Sequence, residues 1–288
     1  MNYSKEEIKR IQEKSLEMVL YFKKICEENH LLFYLCGGCC IGAIRNQGFI
    51  PWDDDVDVFM PRSDYEKLKK IWDEKADTNR YSLVDSNEDY IDHNLFLNIR
   101  DNETTFIRPY QTELDISHGL ILDVLPLDGY PSSVLARKKQ LFWATIYSLY
   151  RAQLVPQKHG KLITLVAKIA LRVIPSKKTR YRIWRYAEKQ MSKYHVEECT
   201  AVTELCSGPR YMMNKYPQIV FKKAIYKQFE GYMMPIPIGY DTYLKIAFGD
   251  YMKLPPKEKR VAHHDVVICD LDRSYKEYKG KFYCVKGK

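Results

Sequence analysis

The chain has 288 residues, 45% hydrophobic and 29% charged, with a formal net charge of +9. This is the composition of an ordinary globular protein, long enough to bury a sizeable core. No stretch approaches the roughly eighteen apolar residues of a membrane span, and "MNYSKEEIKR" lacks the apolar run of a secretory signal, so the expected location is the cytoplasm.

Ser4-Lys-Glu-Glu7 reads as a capping box. Apolar residues follow at Ile8, Ile11, Met18, Phe22 and Ile25, which predicts a helix of about 25 residues. "HLLFYLCGG" predicts a strand running into a tight glycine turn, and "CCIGAIRNQG" a short helix closed by Gly48. "DVDVFM" alternates strictly, as a strand with acids on one face and valines on the other. Pro61 ends it, and Ser63 opens a helix carrying Tyr65, Leu68 and Trp72. "RYSLVD", "NLFLNIR" and "TTFIR" predict further strands, and "GLILDVLPLDG" a fully buried one.

Helices are predicted at about 132–154, 161–174 and 178–195, followed by short helices and Pro/Gly turns such as "MMPIPIGY". The expected architecture is an α/β (α+β) core over 1–130, a basic helical insertion over 131–195, and a part over 196–288 that returns to the core. Eight cysteines are present without a regular metal spacing beyond Cys36-x-x-Cys39. Reduced thiols serving as small apolar filler are therefore expected rather than a zinc site.

Charge is strongly segregated. From Gly129 to Ala187 there is no Asp or Glu but thirteen Lys or Arg, while the rest of the chain is net acidic. Such a block implies an anionic partner. Within it "KLITLVAKIALRVIP" fits either a helix lying in an anionic membrane interface or a core helix with solvated basic ends. The block carries no recognition motif for nucleic acid, and none is expected to bind.

The acids concentrate elsewhere. "GFIPWDDDVDVFMPRSDY" holds five carboxylates. On a strand Asp55 and Asp57 project side by side, where two ionised carboxylates repel. Oxygen-only ligands at a strand end suit Mg²⁺ or Mn²⁺; the bland alternative is an acidic loop solvated by water. Gly37 and Gly38 stand upstream at a strand-to-helix turn suited to phosphate, and Asp123 interrupts an apolar strand where a carboxylate is costly unless paired. Asp53 shares the parity of Asp55, and Asp54 points the other way and bonds backbone.

"GGCCIGAIRNQGFIPWDDDVDVFMPRSDYEKL", "LDVLPLDG" and "FGDYMKLPPKEKRVAHH" together resemble the three sequence blocks of the LicD family, over about residues 30–264. The resemblance implies a nucleotidyltransferase-type fold and transfer of phosphocholine from CDP-choline, or of an alditol phosphate as in fukutin-type enzymes, to a sugar of a cell-surface glycan. It implies metal on Asp55 and Asp57, with Asp123 as general base or additional ligand. Donor phosphate would meet Gly37, Gly38, Arg45, Lys259, Arg260, His263 and His264, against the alternatives of a surface arginine at Arg45 and of a metal-binding or surface pair at the two histidines. Cys39-Cys40 departs from the hydroxyl-bearing residue usual after the glycines. Arg100 and Arg108, on predicted strands near the site, are weaker candidates set against a reading as plain surface charges, and nucleotidyl transfer from an NTP is the competing activity.

Overall fold

The structure, a computed structural model, describes residues 3–154, 161–262 and 264–285. Helix α1 (Lys5–Glu28) starts at Ser4, whose hydroxyl accepts from the Glu7 amide while the Glu7 carboxylate accepts from the Ser4 amide. Its buried stripe, Ile8, Ile11, Met18, Val19, Phe22 and Ile25, enters the main core. There Phe22 meets the rings of Phe33 and Trp72, each worth about 1.5–3 kcal/mol in burial.

The fold is mixed α/β. Strands β1 (Tyr34–Leu35), β2 (Val56–Pro61), β3 (Tyr81–Val84), β4 (Leu97–Asp101) and β6 (Leu120–Tyr130) form a sheet in the order β1-β2-β6-β4-β3. Only β2 and β6 in that row run parallel. The register sets Asp57 beside Asp123, and Asp123 beside Asn98. Residues of equal parity share a face, so these three polar side chains form one row. Alternate residues such as Val56, Val58, Leu122 and Val124 are buried in the core against which α1 and α3 (Arg62–Lys75) pack.

β6 is long enough to serve twice. Beyond Leu127 it pairs with β7 (Ala201–Thr203), which pairs with β8 (Tyr216–Pro217). A short strand β5 (Thr105–Ile107) receives β11 (Ile268–Asp270). The stretch expected as turns at "MMPIPIGY" instead enters a hairpin, β9 (Ala224–Phe229) with β10 (Tyr232–Pro237). Its two-residue loop, Glu230-Gly231, has both φ values positive, as a hairpin turn requires, and prolines are tolerated on such a ribbon's edge.

Three boundaries differ from expectation. Helix α2 (Gly37–Arg45) ends at Asn46 rather than at Gly48. Helix α3 begins at Arg62, so Ser63 lies inside its first turn. The third helix of the basic segment stops at Met191, where Ser192 caps it. Otherwise α4 (Val134–Ala152), α5 (Lys161–Val173) and α6 (Lys177–Met191) occupy the predicted places.

α4 and α6 pack together around a second apolar core that includes Tyr147, Trp184 and Met191. Buried ion pairs tie these helices to the sheet. Arg62 donates through Nε and Nη2 to Asp128, 2.8 Å each, and lies 3.6 Å from Glu188 on α6. Arg151 on α4 reaches Asp85 at 2.5 Å, which also meets Lys69 at 2.7 Å. No helix among the described residues is long and apolar enough to cross a membrane.

Candidate active site

β1 delivers the chain to Cys36, and Gly37 turns it into α2 with φ +52°, a conformation natural to glycine. The amide of Gly37 is held by the Tyr243 hydroxyl at 2.9 Å, so α7 (Tyr240–Phe248) braces this turn. Gly38 is required by proximity: a Cβ there would lie 2.0 Å from the Asp53 carboxylate. A Cβ on Gly37 would stand 3.5 Å from Asp57. The glycine pair is therefore the floor on which the acids rest.

That floor opens into a cavity of about 1050 Å³. Asp53, Asp55 and Asp57 face it along one parity of the acidic segment. Burial and the neighbouring carboxylates push Asp53 and Asp57 well above the ordinary carboxylate range. Asp55 is raised too by burial, against the pull of His264. Carboxylate oxygens of Asp53, Asp54 and Asp55 lie within 4.8 Å of one another, a grouping able to hold a metal ion. Asp54, however, is turned to His264, accepting from its backbone amide at 3.2 Å and lying 3.3 Å from Nδ1. Of these three acids, the pair aimed into the cavity is Asp53 and Asp55, with Asp57 beside them.

Asp123 is buried next to Asp57 on the adjacent strand. Asn98 donates to its carboxylate, and Arg108 Nη2 stands 3.9 Å away. Burial raises its pKa, offset in part by Arg108, His264 and Arg100. Of the two readings open for Arg100 and Arg108, the structure favours a place near the site over a plain surface charge. Arg100 is fully buried, bonded to the Ser117 carbonyl at 2.7 Å and to Gln111, and burial lowers it to about 10. Arg108 donates to the Tyr110 hydroxyl and faces the acid row. Arg100 lies on β4 and Arg108 directly follows β5, opening the short 3-10 turn Pro109–Gln111, so their burial comes from packing that single-residue polarity cannot reveal.

The other predicted residues distribute around the opening. Arg45, last in α2, lines the cavity and donates to the Tyr251 carbonyl at 3.2 Å. Arg260 lies over the Trp52 ring at 5.6 Å and bonds the Pro255 carbonyl. His264 sits on the acidic side rather than on this basic rim; burial opposes its charge, but Asp54 and Asp55 raise its pKa overall. His263 lies outside the described residues. Arg210, Lys253 and Lys259 also line the cavity. Arg210 has no sequence signal of its own, whereas Lys253 falls within the block "FGDYMKLPPKEKRVAHH" and Asn98 shows as a polar interruption of "NLFLNIR". All eight cysteines are free, and Cys36, Cys39 and Cys40 are buried filler behind the glycine turn.

A glycine turn, an acidic segment and a third acid on the parallel neighbour are brought together, as the resemblance to nucleotidyltransferase-type domains implies. Residues 30–150 match the family model for the LicD/FKTN/FKRP nucleotidyltransferase domain, and that span contains Gly37, Gly38, Asp53, Asp55, Asp57, Asn98, Arg108 and Asp123. The chain is also 28% identical over 268 residues to the lipopolysaccharide cholinephosphotransferase LicD of Haemophilus influenzae, covering 86% of this chain and 92% of that protein. The two likenesses together support a LicD-like transferase, with the LicD/FKTN/FKRP nucleotidyltransferase domain matched over residues 30–150.

Proposed function

We propose that the protein transfers a phospho-head group from a CDP-linked donor to a sugar hydroxyl of a cell-surface glycan or its lipid-linked precursor, with release of CMP. The observation that carries this reading is the cavity itself, with buried, mutually repelling carboxylates at its floor and Arg45, Arg210, Lys253 and Lys259 around it. An acid floor that is hard to ionise calls for a cation, and a basic wall calls for phosphate. Phosphocholine is the favoured head group, because the relative is a cholinephosphotransferase and the rings of Trp52, Phe96, Tyr211 and Phe248 line the cavity. Ring faces hold a quaternary ammonium that hydrogen bonds cannot.

Asp53, Asp55 and Asp57 would hold the divalent cation; their oxygen-only set suits Mg²⁺ or Mn²⁺. When bound, such an ion neutralises the crowded acids and stabilises charge on the donor phosphates. Asp123 accepts the proton of the acceptor hydroxyl. Its buried, raised carboxylate is a better base than an exposed one, and Asn98 orients it. The hydroxyl oxygen then forms a bond to the head-group phosphorus as the bond to the CMP oxygen breaks. The leaving CMP carries its new charge toward the basic wall.

Incubation with Mg²⁺ and each of CDP-choline, CDP-ethanolamine, CDP-glycerol and CDP-ribitol should give CMP with CDP-choline fastest. Diphosphate released from CTP or ATP, without CMP from any of these donors, would instead establish nucleotidyl transfer, the reading favoured by the domain's kinship alone.

Gly38→Ala offers a second check. The new methyl group must displace the Asp53 carboxylate, the end of a side chain able to move, so the fold should persist. Transfer should fall by about 10²-fold, the cost expected of misplacing one group by about an ångström, and half-maximal Mg²⁺ should rise. Unchanged activity would remove Asp53 from the site.

A further inference from the structure

We infer that the outward face of α5 docks the protein on an anionic lipid bilayer, an interaction that stands apart from the transfer chemistry. Ala167 and Leu171 turn inward, and Leu171 joins the core shared by α4 and α6. The opposite side carries Leu165, Ile169 and Val173, 54%, 53% and 71% exposed. These recur every fourth residue and so form one stripe along the helix. Lys168 and Arg172, both exposed, lie between them on the same side. The face is thus apolar and basic, with no neutral polar residue and no acid among these five positions.

Charge decides the occupant. The helices on either side of α5 add exposed Lys138, Lys139, Lys177, Lys178 and Arg182, and no Asp or Glu occurs between Gly129 and Ala187. Two copies presenting this face would repel each other, whereas anionic head groups attract it and the acyl boundary receives the apolar stripe. Basic residues between large aliphatic ones are the composition of a helix lying in the interface plane.

The test is co-sedimentation of the full-length protein with phosphatidylcholine vesicles and with vesicles containing about one-third phosphatidylglycerol, at low and raised salt. Binding is expected to the anionic vesicles only, and to weaken with salt. Lys168→Glu with Arg172→Glu should reduce it at least about 10-fold, and Leu165→Ser with Ile169→Ser and Val173→Ser by several-fold. CMP release with a soluble acceptor should be the same in all variants, because none of these positions touches the cavity. Equal binding to neutral vesicles, binding unaffected by these changes, or self-association lost in the same variants would overturn the assignment.

Discussion

Asp57→Asn is expected to abolish transfer, lowering the rate at least about 10³-fold, while making the cation-free protein more stable. The two effects have one origin. Asp57 is half-buried among Asp55, Asp123 and Asp53, and desolvation and then these neighbours raise its pKa. An acid whose folded pKa lies above its unfolded value costs nothing below pH ~4; its penalty grows from there up to the folded pKa and is constant above it. The amide removes that penalty, so the variant's advantage in melting temperature should widen from acid toward neutral pH. Mg²⁺ should then raise the melting temperature of the unaltered protein, by about 2.7 kcal/mol of stability at a hundredfold excess over its dissociation constant, and raise that of the variant much less. An active variant, or equal stabilisation of both proteins by Mg²⁺, would dispose of the proposed cation site.

The second large effect concerns how the basic helices are held. Asp85→Asn should destabilise by about 3–5 kcal/mol, because it strands a fully buried arginine. Arg151 has 1% of its side chain exposed, bonds the Asn94 carbonyl at 2.9 Å, and lies over the Trp184 ring at 5.0 Å. Arg151→Met should cost less, since Asp85 keeps Lys69 at 2.7 Å and the apolar side chain fills the space. Burial alone would raise the Asp85 carboxyl, but Arg151 and Lys69 outweigh it and hold it at about 2. A depressed carboxylate stabilises the fold above its unfolded pKa and ceases to as pH falls through the folded one. Unaltered protein should therefore lose about 2 kcal/mol between pH ~4 and pH ~2 that Asp85→Asn does not. Urea denaturation across that window measures it; parallel curves for the two proteins would show the pair to be neutral.

Much of the site is legible in local pattern. The D-V-D-V alternation marks the acidic segment, although β2 begins only at Val56, so Asp57 lies on the strand and Asp55 just before it. A carboxylate amid "LILDVLPL" marks β6 by its cost in an apolar setting. Asp54, read as the off-parity acid that bonds backbone, does accept from the His264 amide. The hairpin at Glu230-Gly231 was missed although two positive-φ residues between alternating strands are a local signal; its prolines disguised it.

What escaped the sequence is the environment that distant segments give to particular residues. Arg100, on the wholly buried β4, and Arg108, just past β5, are withdrawn from solvent by the segments packed over them. His264 meets an acid 210 positions away, and Tyr243 caps a glycine amide 206 positions away. Periodicity is a property of neighbours along the chain and can be read from composition and spacing. Pairing across the sheet depends on register and packing, which no local pattern encodes.

By itself, then, the sequence determined the acidic strand, the glycine turn, the buried third acid, the basic helices and the family likeness. Only the tertiary structure decided that Asp57, Asp123 and Asn98 share a row, that Asp53 leans over Gly38, and that basic residues from the C-terminal third line the same cavity. The physical reason is that repulsion among acids and attraction for phosphate act through space, over distances that folding alone makes short.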